Sequence, residues 1–251
     1  MTEVTLEAGK FLLSQTVAVN NHKTANDLLT QNDLETEEFI IARLHQTHPD
    51  VHIVSEEYNP DSTPEGLTVV IDPIDGTCNY AVGLPLFGIQ LALFDGGECL
   101  GAVLHFPVSG DTFTAEKGQG AYHNGKRISV SPETPAGDGV LLISDYYGGM
   151  DIPMERQFDL VQALQSYFLK TRHLGAACVD FTTLAKGHAL AYITYYSKLW
   201  DIAPGLLLAR EAGCVAGYLP GGDYPWWAPG LVVASSPEIL EHILKTYNSL
   251  L

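Results

Sequence analysis

The run Val69-Val70-Ile71-Asp72-Pro73-Ile74-Asp75-Gly76-Thr77 joins an apolar strand to two carboxylates three residues apart, then to a glycine and a hydroxyl. Two carboxylates with a carbonyl between them suit a hard divalent cation, and Gly-Thr opening a helix offers backbone N–H groups to an anion. At the carboxyl end of a strand, such a set faces the crevice where α/β proteins bind ligands. Asp-Pro and Asp-Gly are also ordinary turn formers, so on this run alone a plain strand-to-turn junction stands beside the metal-and-phosphate reading.

Two further acidic elements shift the balance. Val51-His52-Ile53-Val54 reads as a short strand ending in Ser55-Glu56-Glu57, a second carboxylate pair at a strand terminus. Trp200-Asp201-Ile202-Ala203-Pro204 precedes the apolar run from Gly205 to Ala212, which sets Asp201 at a helix N-cap and Pro204 in the first turn. Enzymes of the haloacid dehalogenase type space their nucleophile and acid D-x-D; Asp72 and Asp75 are spaced D-x-x-D, which favours metal ligation over a phosphoaspartate. No G-x-x-x-x-G-K-[ST], H-E-x-x-H or G-x-S-x-G occurs, and Gly118-Gln119-Gly120 lacks the third glycine of a dinucleotide loop.

Other chemistry-bearing residues have blander readings. His45, His48 and His52 cluster, but across a helix end and Pro49, so solvated histidines are preferred to a zinc site. Cys78 has no histidine nearby in sequence and reads as a packed thiol. Trp226 and Trp227 read as packing residues of an irregular loop in preference to a substrate lid.

The 251 residues, 46% hydrophobic, can bury a large core as one unit. The formal net charge is −17, from 13 basic and 30 acidic residues, which disfavours nucleic-acid binding over a broad basic face. The same charge repels an anionic substrate, so bound cations would have to supply the attraction. No apolar stretch is long enough for a membrane span, no signal-peptide pattern opens the chain, and Cys78, Cys99, Cys178 and Cys214 show no C-x-x-C spacing. A cytoplasmic setting without membrane contact is the expectation.

The elements that must position these groups fall into two styles. A first helix spans Val4 to Val17, and a second Leu34 to Leu44 with Asp33 as N-cap, Glu35, Glu37 and Glu38 in its early turns, and an apolar stripe of Phe39, Ile40 and Leu44. Residues 86–130 read as an antiparallel meander: Phe87–Phe94, Leu100–Phe106, Thr112–Glu116 and an arm at Tyr122. The rest alternates: strand Val140–Ser144, helices Arg156–Phe168 and Ala177–Lys186, strand Ala189–Tyr195, helix Ile202–Ala212, strand Leu231–Ala234, helix Pro237–Leu244. Mixed order of this kind points to α/β/α/β/α layering, with no linker or repeat dividing the chain.

Together the motifs resemble the inositol monophosphatase family of magnesium-dependent, lithium-sensitive phosphatases. The resemblance rests on Asp27-Leu28-Leu29-Thr30 with Asp33, Glu56-Glu57, Asp72 to Thr77 with Asn79-Tyr80, Lys117 to Ala121 with Asn124-Gly125, and Trp200-Asp201 followed by Glu211-Ala212-Gly213. It runs in order from about residue 25 onward. It implies an α/β (α+β) fold, the layered αβαβα sandwich of the inositol monophosphatase/fructose-1,6-bisphosphatase type. One catalytic domain would cover residues 1–251, in approximate halves 1–135 and 136–251.

The resemblance implies hydrolysis of a small phosphate monoester by metal-activated water, with two to three Mg²⁺ ions, Li⁺ as an inhibitor and no covalent intermediate. Glu56, Asp72 and the Ile74 carbonyl would hold one ion, Asp72, Asp75 and Asp201 another, and Glu56 would help hold a third. Thr77 and Asp33 would orient the water, Gly76 and Thr77 would bind the phosphate, and Asp75, Gly175, Ala176, Ala177 and Thr194 would face the substrate. A homodimer is implied too. The chain departs from inositol-specific relatives at Thr194, six residues before Trp200, where they carry a glutamate, and Lys23 stands one residue nearer Asp27 than the usual basic residue. Polyol and sugar phosphates therefore lead; a nucleotide 3′-phosphatase, a histidinol-phosphate or other amino-alcohol phosphatase, and a noncatalytic regulatory or RNA-associated protein are the alternatives.

Overall fold

The computed structural model describes residues 1–17, 19–24, 27–146, 152–196, 198–219 and 230–251, with side chains 18–27 also left aside. The first half contains α1 (Thr2–Leu13), β1 (Val19–Thr24), β2 (Asp27–Thr30), α2 (Gln31–Thr47), β3 (His52–Ser55), β4 (Thr68–Asp75), α3 (Thr77–Ala81), β5 (Gly88–Asp95), β6 (Glu98–Phe106), β7 (Asp111–Glu116), β8 (Gly120–His123) and β9 (Lys126–Ile128). The second contains β10 (Val140–Ile143), α4 (Met154–Leu164), β11 (Lys170–Arg172), α5 (Ala177–Ala185), β12 (Ala191–Thr194), α6 (Leu199–Glu211), β13 (Val215–Tyr218), β14 (Leu231–Ala234) and α7 (Pro237–Ser249).

The expected meander is the body of a seven-stranded sheet, β3-β4-β5-β6-β7-β8-β9, antiparallel except for β3 beside β4. The second half forms a five-stranded mixed sheet in the order β11-β10-β12-β14-β13. Ala8, Leu12, Ile40 and Leu44 of α1 and α2 pack on Val69, Ile71, Ile89 and Leu91 of the large sheet. On its other face lie Leu199, Ala203 and Leu207 of α6. The opposite stripe of α6, Ile202, Leu206 and Ala209, packs on Leu142, Tyr192 and Val233 of the small sheet. Leu160 and Leu164 of α4 and Ile239 and Ile243 of α7 close the far side. The layers are thus αβαβα, the mixed α/β sandwich that the order of elements implies.

A helix squeezed between two sheets must be apolar nearly all round, which is why α6 shows little amphipathic contrast in its sequence. Its close approach to α5 requires Gly205, where a Cβ would lie 2.2 Å from the Phe181 ring. β4 is buried along its whole length, as a strand covered on both faces should be.

Several boundaries differ from the sequence reading. The N-cap of α2 is Thr30, not Asp33, which sits three residues further in as the acidic half of a capping box. Likewise α6 starts at Leu199 after Lys198, so Asp201 is not its N-cap and Pro204 lies inside the helix rather than in its first turn. The apolar pattern hides this start, since Leu199 and Trp200 already belong to the buried face. α1 ends at Leu13, α4 at Leu164, and α7 runs on to Ser249. The strands β1, β2, β11 and β13 were not anticipated: none shows a clean apolar alternation, and each exists by pairing with another strand, β1 with β2, β11 with β10 and β13 with β14. No described helix is long and apolar enough to cross a membrane.

Candidate metal and phosphate site

In a regular strand, residues three apart face opposite sides, so Asp72 and Asp75 should diverge. They do not, because β4 carries a bulge. Asp72 is the register partner of Gln90 and Asp75 that of Gly88, so three steps on β4 match two on β5. The extra residue returns Asp75 to the face of Asp72. Pro73 falls inside this bulge, where a missing N–H breaks no ladder bond. Gly76 then turns the chain at φ +89°, a left-handed conformation that suits glycine, and a Cβ there would come within 2.9 Å of the Leu86 carbonyl.

The neighbouring strand delivers the next carboxylate. Parallel pairing of β3 with β4 ends at Ser55 opposite Ile71, and the Glu56 N–H extends the ladder to the Ile71 carbonyl at 3.3 Å, so Glu56 arrives level with Asp72. Its loop is fastened by Glu37, which is fully buried and accepts from the Glu57 and Tyr58 N–H groups at 2.9 Å each. Burial, first of all, raises the Glu37 carboxyl above its ordinary range. From the sequence alone, Glu37 has only a place near the helix dipole. Its position one turn after Asp33, on the same face of α2, was the available signal.

Asp33 is buried and accepts from the Thr30 N–H at 2.8 Å, the Thr30 hydroxyl at 2.5 Å and the Thr77 hydroxyl at 3.1 Å. Thr77 Oγ1 is also 3.0 Å from the Ile74 carbonyl. Desolvation pushes the Asp33 pKa up to about 6 against these lowering hydrogen bonds, with Glu56 adding to the rise. Asp72 accepts from the Ile74 N–H at 3.2 Å and from Gln90 Nε2 at 3.2 Å. Asp75 accepts from the Ala177 N–H at 3.2 Å and from the Cys178 N–H, the first donors of α5, and so ties the two halves of the chain together. Burial lifts both Asp72 and Asp75; after burial, the charges of Glu56, Asp75 and Asp201 raise Asp72 further. Glu56, Asp72, Asp75 and Asp201 therefore share one electrostatic neighbourhood. Asp201 is half-buried, and its Oδ2 accepts from the Lys198 N–H at 3.2 Å.

The segment Gly175-Ala176-Ala177 is brought beside the cluster by Asn79, whose amide donates to the carbonyls of Leu86 at 2.7 Å and Leu174 at 2.8 Å. Thr194 is buried, and its hydroxyl donates to the Tyr196 carbonyl. Behind Asp75 lies Asp180, another buried carboxyl raised by burial and by Asp75, with one oxygen lacking a partner among the described residues. Lys198 Nζ sits 5.7 Å from the Tyr196 ring and 5.9 Å from the Trp200 ring, a cation–π pair at the start of α6. The Lys23 side chain, and Trp226 and Trp227 with the lid reading, lie outside the described residues. His48 and His52 are engaged separately, by Thr47 and by the Thr63 carbonyl.

Among the described residues no three His, Cys, Asp or Glu side chains stand together as a group ready to hold an ion. Asp72 and Asp75 are each turned onto protein donors. The chemistry of the set nevertheless fits a hard cation: the donors are all oxygen, mutual repulsion and burial penalise their charged forms, and the buried Gln90 Oε1 beside Asp72 has no partner among the described residues.

The profile of the inositol monophosphatase family matches residues 2–251. The Nus factor SuhB of Pasteurella multocida is 32% identical over 224 residues, covering 89% of this chain and 83% of that protein. A fructose-1,6-bisphosphatase/inositol-1-monophosphatase of Thermotoga maritima is 31% identical over 225 residues, covering 88% and 83%. The solved structure of a Thermotoga maritima IMPase superposes with a TM-score of 0.87 at 27% identity, covering 99% of this chain and 95% of that one.

Proposed function

The chain belongs to the inositol monophosphatase family, and from that premise we propose that it hydrolyses a small phosphate monoester at the carboxylate site, with Mg²⁺. The observation that carries the reading is the β4 bulge, which sets Asp72 and Asp75 on one face, with Glu56 level with Asp72. Family membership supports metal-dependent phosphomonoesterase chemistry in general; the residue roles and the substrate class are our assignment. Residues 1–251 act in it as one catalytic unit.

Glu56, Asp72, the Ile74 carbonyl, Asp75 and Asp201 would hold two to three Mg²⁺ ions, whose chemistry is to neutralise phosphoryl oxygens, lower the pKa of water and stabilise a leaving alkoxide. The chain's own groups do the rest. The Gly76 and Thr77 N–H groups bind the phosphate. With its proton directed to Asp33, Thr77 Oγ1 presents a lone pair to the attacking water and fixes its line of approach. Asp75 is itself held by the first N–H groups of α5, so the Gly175-Ala176-Ala177 backbone that meets the substrate is positioned together with the carboxylates. Thr194 cannot offer the charge of a carboxylate to substrate hydroxyls, and its proton is engaged by Tyr196. Strong selection for inositol 1-phosphate is therefore not expected, and polyol and sugar phosphates are the leading substrates.

The relatives named Nus factor SuhB favour a second reading, a regulatory protein on this fold. A panel of inositol, sugar, nucleotide and amino-alcohol phosphates, assayed with Mg²⁺ and with EDTA, separates the two. Turnover of at least one ester in Mg²⁺ alone supports the phosphatase; no turnover of any supports the regulatory reading. A preference for inositol 1-phosphate above ~100-fold would overturn the role given to Thr194.

A further inference from the structure

β5 is apolar at every buried position except one. Within Gly88-Ile89-Gln90-Leu91-Ala92, Gln90 is fully buried, and its register partner across the sheet is Asp72. Its Nε2 lies 3.2 Å from Asp72 Oδ2 and 3.5 Å from the Asp201 main-chain carbonyl. Both neighbours are acceptors, so the amide can take only one orientation; the flipped one would set an oxygen against a carboxylate and a carbonyl. Burying this polar side chain in a strand is costly unless the contact it makes is used. The contact joins Asp72 of β4 to the first turn of α6, a helix whose Pro204 lacks the N–H that would bond the Trp200 carbonyl.

We propose that Gln90 is a positioning residue that holds the Asp72 carboxylate and the start of α6 in fixed relation, and thereby sets the Mg²⁺ affinity of the site. The inference rests on the phosphatase reading above. Partners of this kind, one bond removed from a metal ligand, fix ligand orientation, and their loss weakens metal binding by about 10–100-fold. Gln90 touches neither the substrate segment nor Thr77 in the hydrogen-bond pattern, so substrate binding and the water-orienting pair should be left largely alone.

The test compares wild type with Gln90→Met, which keeps the length and apolar stem of the side chain but removes the donor. Mg²⁺ binding is measured by calorimetry, and kcat and KM are measured at saturating Mg²⁺ on whichever ester the wild type hydrolyses best. The expected result is an Mg²⁺ dissociation constant raised by about 10-fold or more. Alongside it, KM should stay within about 3-fold of wild type and most of kcat should return at high Mg²⁺. A folded Gln90→Met protein with wild-type Mg²⁺ affinity would overturn the proposal while leaving the phosphatase reading intact. Should that variant not fold, Gln90→Asn carries the same test: it keeps an amide but withdraws it by one methylene, and unchanged affinity overturns the proposal equally. Wild-type protein that binds no Mg²⁺ would overturn the phosphatase reading and this inference with it.

Discussion

Two helices begin at the site, and each carries an aspartate three residues after its N-cap. In α2, Asp33 answers Thr30 with a full capping box, is buried, and also takes the Thr77 hydroxyl. In α6, Asp201 accepts from the Lys198 N–H while remaining half-buried. The same local device thus serves two ends. Where the cap residue brings its own hydroxyl and the carboxylate is desolvated, the aspartate becomes a rigid acceptor for the Thr77 hydroxyl. Where the cap contact is the Lys198 backbone N–H and the carboxylate is half-exposed, the aspartate faces the shared acidic cluster with Asp72. A capping role and a site role are therefore compatible, and burial separates the kinds of site role.

The larger loss of activity should come from the α6 aspartate. Asp201→Asn should lower kcat/KM for the best ester by at least ~100-fold, because it removes a proposed anionic metal ligand, while the midpoint of thermal unfolding in EDTA stays within ~3 °C. An active Asp201→Asn protein would reduce Asp201 to a cap.

On the α2 side the effect is read as stability against pH. Asp33 is raised in the folded state to about 6 from 3.8, so the metal-free fold binds the proton more tightly than the unfolded chain. That contribution is present at low pH and is lost as pH rises from about 4 through about 6, on the order of 3 kcal/mol. In EDTA, Asp33→Asn should flatten the decline over that window relative to wild type and, at the same time, lower kcat. Parallel pH curves for the two proteins would show that Asp33 is not the buried charge described here.

Smaller effects sharpen the contrast between the caps. Thr30→Ala should cost ~1 kcal/mol of stability by chemical denaturation, since it deletes the capping hydroxyl. Lys198→Ala keeps the backbone N–H that Asp201 uses and should stay within ~0.5 kcal/mol. Equal losses at the two positions would mean that the caps are alike after all.

Much of this was legible in the chain. Each of Asp72, Asp75, Glu56 and Asp201 taken alone reads as a turn former or a cap; they stand out because several acidic element ends recur in one chain, and the meander is marked by glycine turns. The layering followed from the change of alternation after residue 130. What stayed hidden depends on partners distant in sequence. The bulge in β4 exists only relative to β5, so D-x-x-D spacing could suggest metal ligation but not show that the two aspartates share a face. Thr30 and Asp33 are both cap-forming types, and only the backbone decides which one caps. Gln90 and Glu37 look ordinary until the groups they meet, Asp72 and the Glu57-Tyr58 N–H pair, are folded against them.

The carboxylate face of the β4 bulge is proposed to work through divalent metal on a phosphate ester. The most direct test is turnover of the best ester by one preparation in EDTA, then after Mg²⁺ is added back, with Asp75→Asn measured beside wild type. The expected result is no turnover in EDTA, recovery with Mg²⁺, and at least ~100-fold less recovered activity in Asp75→Asn. Hydrolysis that persists in EDTA, or an Asp75→Asn protein that recovers like wild type, would contradict it.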